Sequence, residues 1–139
     1  MSTLVGAATG VPRTLIMGIV NVTPDSFSDG GRFAAADDAI AHGMLLASQG
    51  ADWVDVGGES TRPGAARIDP SAELERVLRV VQELASAGVA VSIDTLNAST
   101  ALRAVEVGAR LVNDVSGGLS DPAMLAAMRI ASAEYGADV

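Results

Sequence analysis

Short apolar runs alternate along the chain with longer amphipathic stretches, and each run breaks into a cluster of glycine, hydroxyl, amide or carboxylate residues. Leu15 to Val20 is short, continuous and apolar, which predicts a strand buried on both faces. It stops at Asn21, and Thr23-Pro24-Asp25 and Asp29-Gly30-Gly31 supply turn chemistry for a loop. Ala36 to Gln49 has a helical pattern, with Asp37 and Asp38 in its first turn, where carboxylates complement the helix dipole, and Gly50 as its stop. Trp53 to Val56 predicts a second strand, which empties into Gly57-Gly58-Glu59-Ser60-Thr61-Arg62-Pro63-Gly64. Asp69-Pro70 then offers an N-cap with proline at the first helical position, and Leu74, Val77, Leu78, Val81 and Leu84 recur at helical spacing up to Gly88. A third strand, Val89 to Ile93, ends in Asp94-Thr95, and a helix from Asn97 closes near Gly108. A fourth, Leu111-Val112, ends in Asn113-Asp114 and runs into Ser116-Gly117-Gly118. Asp121-Pro122 repeats the cap signal for a helix with Met124, Leu125 and Met128 on one face, and Gly136 to Val139 reads as the approach to a fifth strand.

Four strand-to-helix units in series, each strand closing on an Asn, Asp or Gly-Gly group, predict the active face of a β/α barrel of the TIM type, where functional groups gather at strand C-termini. A doubly wound open sheet would place a GxGxxG turn after the first strand, and the chain has none there. Complete barrels run to about 250 residues, so 139 residues make up roughly half of one: four units and the start of a fifth strand. Residues 1–13 are small and polar and read as a loose N-terminal arm, with 14–139 forming the half barrel.

Composition narrows the function. Hydrophobic residues make up 49% with few aromatics, which suits helices packed on a parallel sheet. The formal charge is −8 and the nine basic residues are scattered arginines, the opposite of a nucleic-acid footprint. Cysteine is absent, excluding disulfides and thiol catalysis. No run approaches the ~18 apolar residues of a membrane span, and Met1 to Gly10 lacks the basic start of a signal peptide, so the chain reads as soluble and cytoplasmic.

The blocks Met17 to Gly31, Val54 to Gly64, Ser92 to Thr95 and Val112 to Gly118, in that order at strand ends, resemble the first half of dihydropteroate synthase, with the similarity running from Thr14 to Val139. Members of that family are β/α barrels of folate synthesis that join a 7,8-dihydropterin carrying a diphosphate leaving group to the amine of p-aminobenzoate. The resemblance implies roles by position. Asn21 approaches Mg²⁺ and the diphosphate, as an oxygen ligand to a hard, mostly hydrated cation. Phe27 and Asp29 lie on a mobile loop that closes over the site and shapes the p-aminobenzoate pocket. Thr61 and Arg62 meet phosphate oxygens, and Pro63 forms a wall of the p-aminobenzoate site. Asp94 and Asn113 contact the pterin. Asp29, Arg62 and Asp94 are the groups it implicates in catalysis. A substitution of dissociative character needs electrostatics more than a strong base, which agrees with a chain whose one histidine, His42, sits in a helix. The net charge opposes an anionic substrate, so local cations must overrule it: Mg²⁺ and Arg62, with Arg32 or Arg67.

Plainer readings stand beside these. Without the resemblance, Asp94 and Asp114 are ordinary turn or cap residues, His42 is a surface-helix residue, and Trp53, Met124 and Met128 are core. Asn21 is harder to dismiss, because a buried amide at a strand end requires a partner. The family's second half supplies a further aspartate, lysine, arginine and histidine that have no counterpart here. A truncated, non-catalytic homologue and a pterin-binding corrinoid methyltransferase domain are the alternatives. A half barrel also exposes strand edges, which predicts a homodimer.

Overall fold

The computed structural model describes residues 13–22, 29–59, 64 and 66–139. Among them four strands alternate with four helices: β1 (Met17–Asn21), α1 (Asp29–Ser48), β2 (Trp53–Gly57), α2 (Pro70–Ser86), β3 (Val91–Asp94), α3 (Ala98–Glu106), β4 (Leu111–Asn113) and α4 (Met124–Tyr135). The strands pair in parallel in the order β1-β2-β3-β4. The sheet with its helices is a partial β/α barrel. Beside β4, Asp138 bridges Leu111 in parallel and exchanges backbone hydrogen bonds with Arg110 and Val112.

Parallel register sorts the side chains into two faces, since alternate residues of a strand point to opposite sides. Val20, Val54, Val56, Val91, Ile93 and Val112 share the helix-facing side and are all buried. Met17, Ile19, Trp53, Asp55, Ser92 and Leu111 share the other, with Asn21, Gly57, Asp94 and Asn113 at its C-terminal rim. The expectation that β1 is buried on both faces is corrected here. Val20 is 2% exposed but Ile19 is 63% exposed, because β1 is the edge of the sheet and its inner face meets no covering element among the described residues. Trp53, expected in the core, is half-buried on this same inner face.

Local chemistry sets the helix ends. The Asp69 carboxylate accepts from Ser71 N at 2.9 Å and Pro70 opens α2, as the sequence predicts. Asn97 caps α3 without a side-chain bond; instead Asp121 reaches across, one oxygen accepting from Ala98 N at 2.8 Å and the other from Ala123 N at 2.9 Å. Those two N–H groups hold the Asp121 carboxyl below its ordinary range. Two boundaries differ from expectation. Helix α1 begins at Asp29, not Ala36: an acidic first residue and an alanine-rich interior favour helix strongly enough to absorb Gly30-Gly31. In α4, Met124 is buried but Leu125 is 61% exposed, because the buried stripe runs through Met124, Ala127 and Ala131 and Leu125 lies about 100° round the helix from it. At the start of β1, Arg13 and the Ile16 amide both bond Asp52, which holds that carboxyl down to about 2.

Candidate functional site

The in-register pairing of Asn21 with Gly57, Gly57 with Asp94 and Asp94 with Asn113 makes a single row across the C-terminal ends of the strands. At about 4.8 Å between neighbouring strands, Asp94 and Asn113 stand side by side on this rim and Asn21 lies two strands from Asp94. Gly57 leaves the row without a side chain beside Asp94, where a Cβ would lie 3.5 Å from Asp94 Cβ and Oδ2. The row therefore has an open notch flanked by an amide on β1 and by a carboxyl and an amide on β3 and β4.

Acidic groups surround that notch. Asp94 is partly buried and its Oδ1 has no hydrogen-bond partner among the described residues. Burial pushes its carboxyl up to about 6, with the charges of Asp55, Glu73 and Asp114 adding to the effect. The folded chain thus holds a proton on Asp94 between pH 3.8 and about 6, where the unfolded chain has released it. Stability is expected to decline as pH rises through that window, and Asp94→Asn to flatten the decline. Thermal midpoints measured from pH 4 to 7 check this, and parallel curves for the two proteins would refute it.

One row deeper, Asp55 is 5% exposed and its Oδ2 accepts from Asn113 Nδ2 at 3.0 Å. Its Oδ1 and the neighbouring Ser92 Oγ are buried without partners among the described residues. Behind the rim lies Glu73 of α2, wholly buried, accepting from Thr95 Oγ1 at 2.8 Å, Asn97 Nδ2 at 2.8 Å and Thr100 Oγ1 at 2.7 Å. Three uncharged donors satisfy this carboxylate and pin the turn that follows Asp94 to helix α2. Over the rim, Arg67 joins three connections: its Nε pairs with Glu59 Oε1 at 3.0 Å, and its guanidinium donates to Ser120 Oγ at 2.9 Å and Asn97 Oδ1 at 3.2 Å.

These contacts sort the sequence candidates. Asn21, Asp94 and Asn113 come together in the rim row. Asp29, expected on a loop, is the first residue of α1. Phe27, Thr61, Arg62 and Pro63 lie outside the described residues. Arg67, considered as a free cation for an anionic substrate, spends its charge on Glu59. Asp114 takes the plain role of a turn residue, accepting from Ser116 N and Gly118 N. His42 is exposed on α1. The sequence reading leaves Glu59 open and does not single out Asp55 or Glu73. Their signal was positional: Asp55 is a charge inside an apolar strand, and Glu73 precedes Val77 by one helical turn on the buried stripe.

A family model described as pterin binding enzyme matches residues 17–137 of this chain. The chain belongs to that family. Dihydropteroate synthase of Mycobacterium leprae is 59% identical over 109 residues, covering 78% of this chain and 38% of the relative. Among solved structures, dihydropteroate synthase of Xanthomonas albilineans with 4-aminobenzoic acid superimposes with a TM-score of 0.77 at 45% identity, covering 86% of this chain and 44% of that one. The enzyme of Anaplasma phagocytophilum with bound 6-hydroxymethylpterin-monophosphate gives 0.73 at 48% identity, covering 82% and 44%. The chain thus spans about two fifths of the length of these relatives.

Proposed function

We propose that this chain carries the pterin-facing half of a dihydropteroate synthase site, acting in the condensation of 7,8-dihydropterin-6-ylmethyl diphosphate with p-aminobenzoate. The observation that carries the reading is the row Asn21, Gly57, Asp94 and Asn113, set across the C-terminal ends of the strands in a chain of the pterin-binding family. In this reading the C–O bond to diphosphate breaks, a C–N bond forms to the aromatic amine, and the amine gives up a proton. Asp94 and Asn113 hold the pterin, and the Asp94 carboxyl offsets positive charge that develops on the ring. Thr61 and Arg62 receive the diphosphate, while Phe27, Asp29 and Pro63 shape the p-aminobenzoate side.

The reading includes Mg²⁺, for which Asn21 offers one neutral amide oxygen at an exposed strand end. A cation held here would take its remaining ligands from water and phosphate, the habit of Mg²⁺. When bound, it neutralises charge on the leaving group. The reading further makes the chain cytoplasmic and homodimeric. In support, no helix among the described residues is long and apolar enough to cross a membrane, and the inner face exposes Ile19 beside the β1 edge.

Calorimetric titration of the 139-residue chain with dihydropterin diphosphate in Mg²⁺ is the test, with diphosphate release followed after p-aminobenzoate is added and mass followed by light scattering. Binding is expected, weakened roughly tenfold or more by Asp94→Ala, the scale of one lost charge-assisted bond. Absence of pterin binding to the folded chain would overturn the reading.

A further inference from the structure

We infer that Asp55 is a positioning residue: by holding the Asn113 side-chain amide in one of its two orientations, it sets the hydrogen-bond pattern that the rim offers to a bound heterocycle. This rests on the reading above, in which Asn113 faces the pterin.

The geometry begins with register. Asp55 pairs with Ser92, and Ser92 with Leu111, so Asp55 lies one row below Asn113 on the same inner face. Its Oδ2 receives Asn113 Nδ2 at 3.0 Å. A carboxylate only accepts, whereas an amide presents NH₂ on one side and a carbonyl on the other. Turning the amide over would set its carbonyl oxygen against the Asp55 oxygen with no proton between them. Asp55 is 5% exposed and its Oδ1 lacks a partner among the described residues, so water is poorly placed to relieve that clash. One orientation is therefore selected before any ligand arrives.

The selection has a chemical consequence. With one N–H committed to Asp55, Asn113 retains one N–H and its carbonyl, a donor and an acceptor in fixed order. That pair complements an N=C–NH₂ edge, where the ring nitrogen accepts and the exocyclic amine donates. A pterin carries this edge at its 2-amino position. A 2-oxo ring of the same shape carries N–H and C=O in reversed order and meets like against like. A site specific through buried polar groups rejects the mismatched analogue because its own groups go unpaired. Asp55 thus contributes to discrimination without touching the ligand.

The test compares the 139-residue chain with Asp55→Asn, which keeps the shape but can donate as well as accept, and with Asp55→Leu, which does neither. The ¹⁵N-resolved side-chain amide of Asn113 is followed first without ligand: in the unsubstituted chain its two protons should differ strongly in shift and one should exchange slowly. Both features should collapse in the variants. Unchanged Asn113 amide signals in both would overturn the inference. Affinities for 6-hydroxymethylpterin and its 2-oxo counterpart are then measured. The unsubstituted chain should prefer the 2-amino compound by roughly tenfold or more, and Asp55→Asn should lose most of that preference. A variant that weakens both compounds equally would reduce Asp55 to a structural role and overturn the inference. If the unsubstituted chain binds neither compound while the amide signals behave as expected, it is the proposed function that fails.

Discussion

Glu73→Leu is expected to cost the fold about 3–5 kcal/mol, because it leaves three buried uncharged donors without their acceptor. The three donors that now end on its carboxylate come from Thr95, Asn97 and Thr100. All three residues are buried, and an orphaned buried donor costs about 1–3 kcal/mol, less whatever water recovers. Glu73→Gln keeps one carbonyl acceptor but turns an NH₂ toward hydroxyl or amide donors, so a loss of about 1–2 kcal/mol is expected. Such losses are large against a typical domain stability of about 5–15 kcal/mol. Urea unfolding of the three proteins decides it. A Glu73→Leu loss below about 1 kcal/mol would mean that the network is not what holds the turn after Asp94.

A second large effect is expected where α1 crosses α2. Leu84 is fully buried, and a Cβ on Gly43 would come within 2.8 Å of Leu84 Cδ1 and 2.9 Å of Cδ2. Leu84→Ala should lose about 2–5 kcal/mol through lost burial and a residual cavity. Gly43→Ala meets two opposed effects: better helix propensity gains about 1 kcal/mol, while overpacking against a side chain with nowhere to move costs about 1–3 kcal/mol. The net sign should be unfavourable. In the double variant the new methyl enters the space that Leu84 vacated, so the combined loss should fall short of the sum by about 1 kcal/mol or more. Denaturation midpoints across the cycle measure this coupling. Additivity within about 0.3 kcal/mol would show that the helices do not meet at these two residues.

How far the fold could be read from the chain depended on what kind of signal each element left. The strands were marked twice, by apolar runs and by the polar clusters that stop them, and all four lie where the runs place them. Caps built from adjacent residues were equally legible, as at Asp69-Pro70. What the sequence hid was anything decided at a distance. Position along a run does not tell whether a strand sits at an edge, so the exposure of Ile19 could not be foreseen. Asp121 looked like a local cap for α4, yet one of its oxygens serves α3. Asn21, Asp94 and Asn113 stand out in the sequence because strand-end polar residues are conspicuous. Asp55 and Glu73 do not, since an acidic residue inside a strand or near a helix start reads as a solvated one until its partners are known.

The simple strand order has a consequence for how such a chain is assembled. Every strand pairs with the one made just before it, and no segment must thread between two already joined. Loop closure therefore spans one strand–helix unit at a time, where its entropy cost grows only slowly. During synthesis from the N-terminus, each emerging unit finds its template edge already laid down, so the sheet can lengthen in the direction of translation, with the rim row filling from Asn21 toward Asn113.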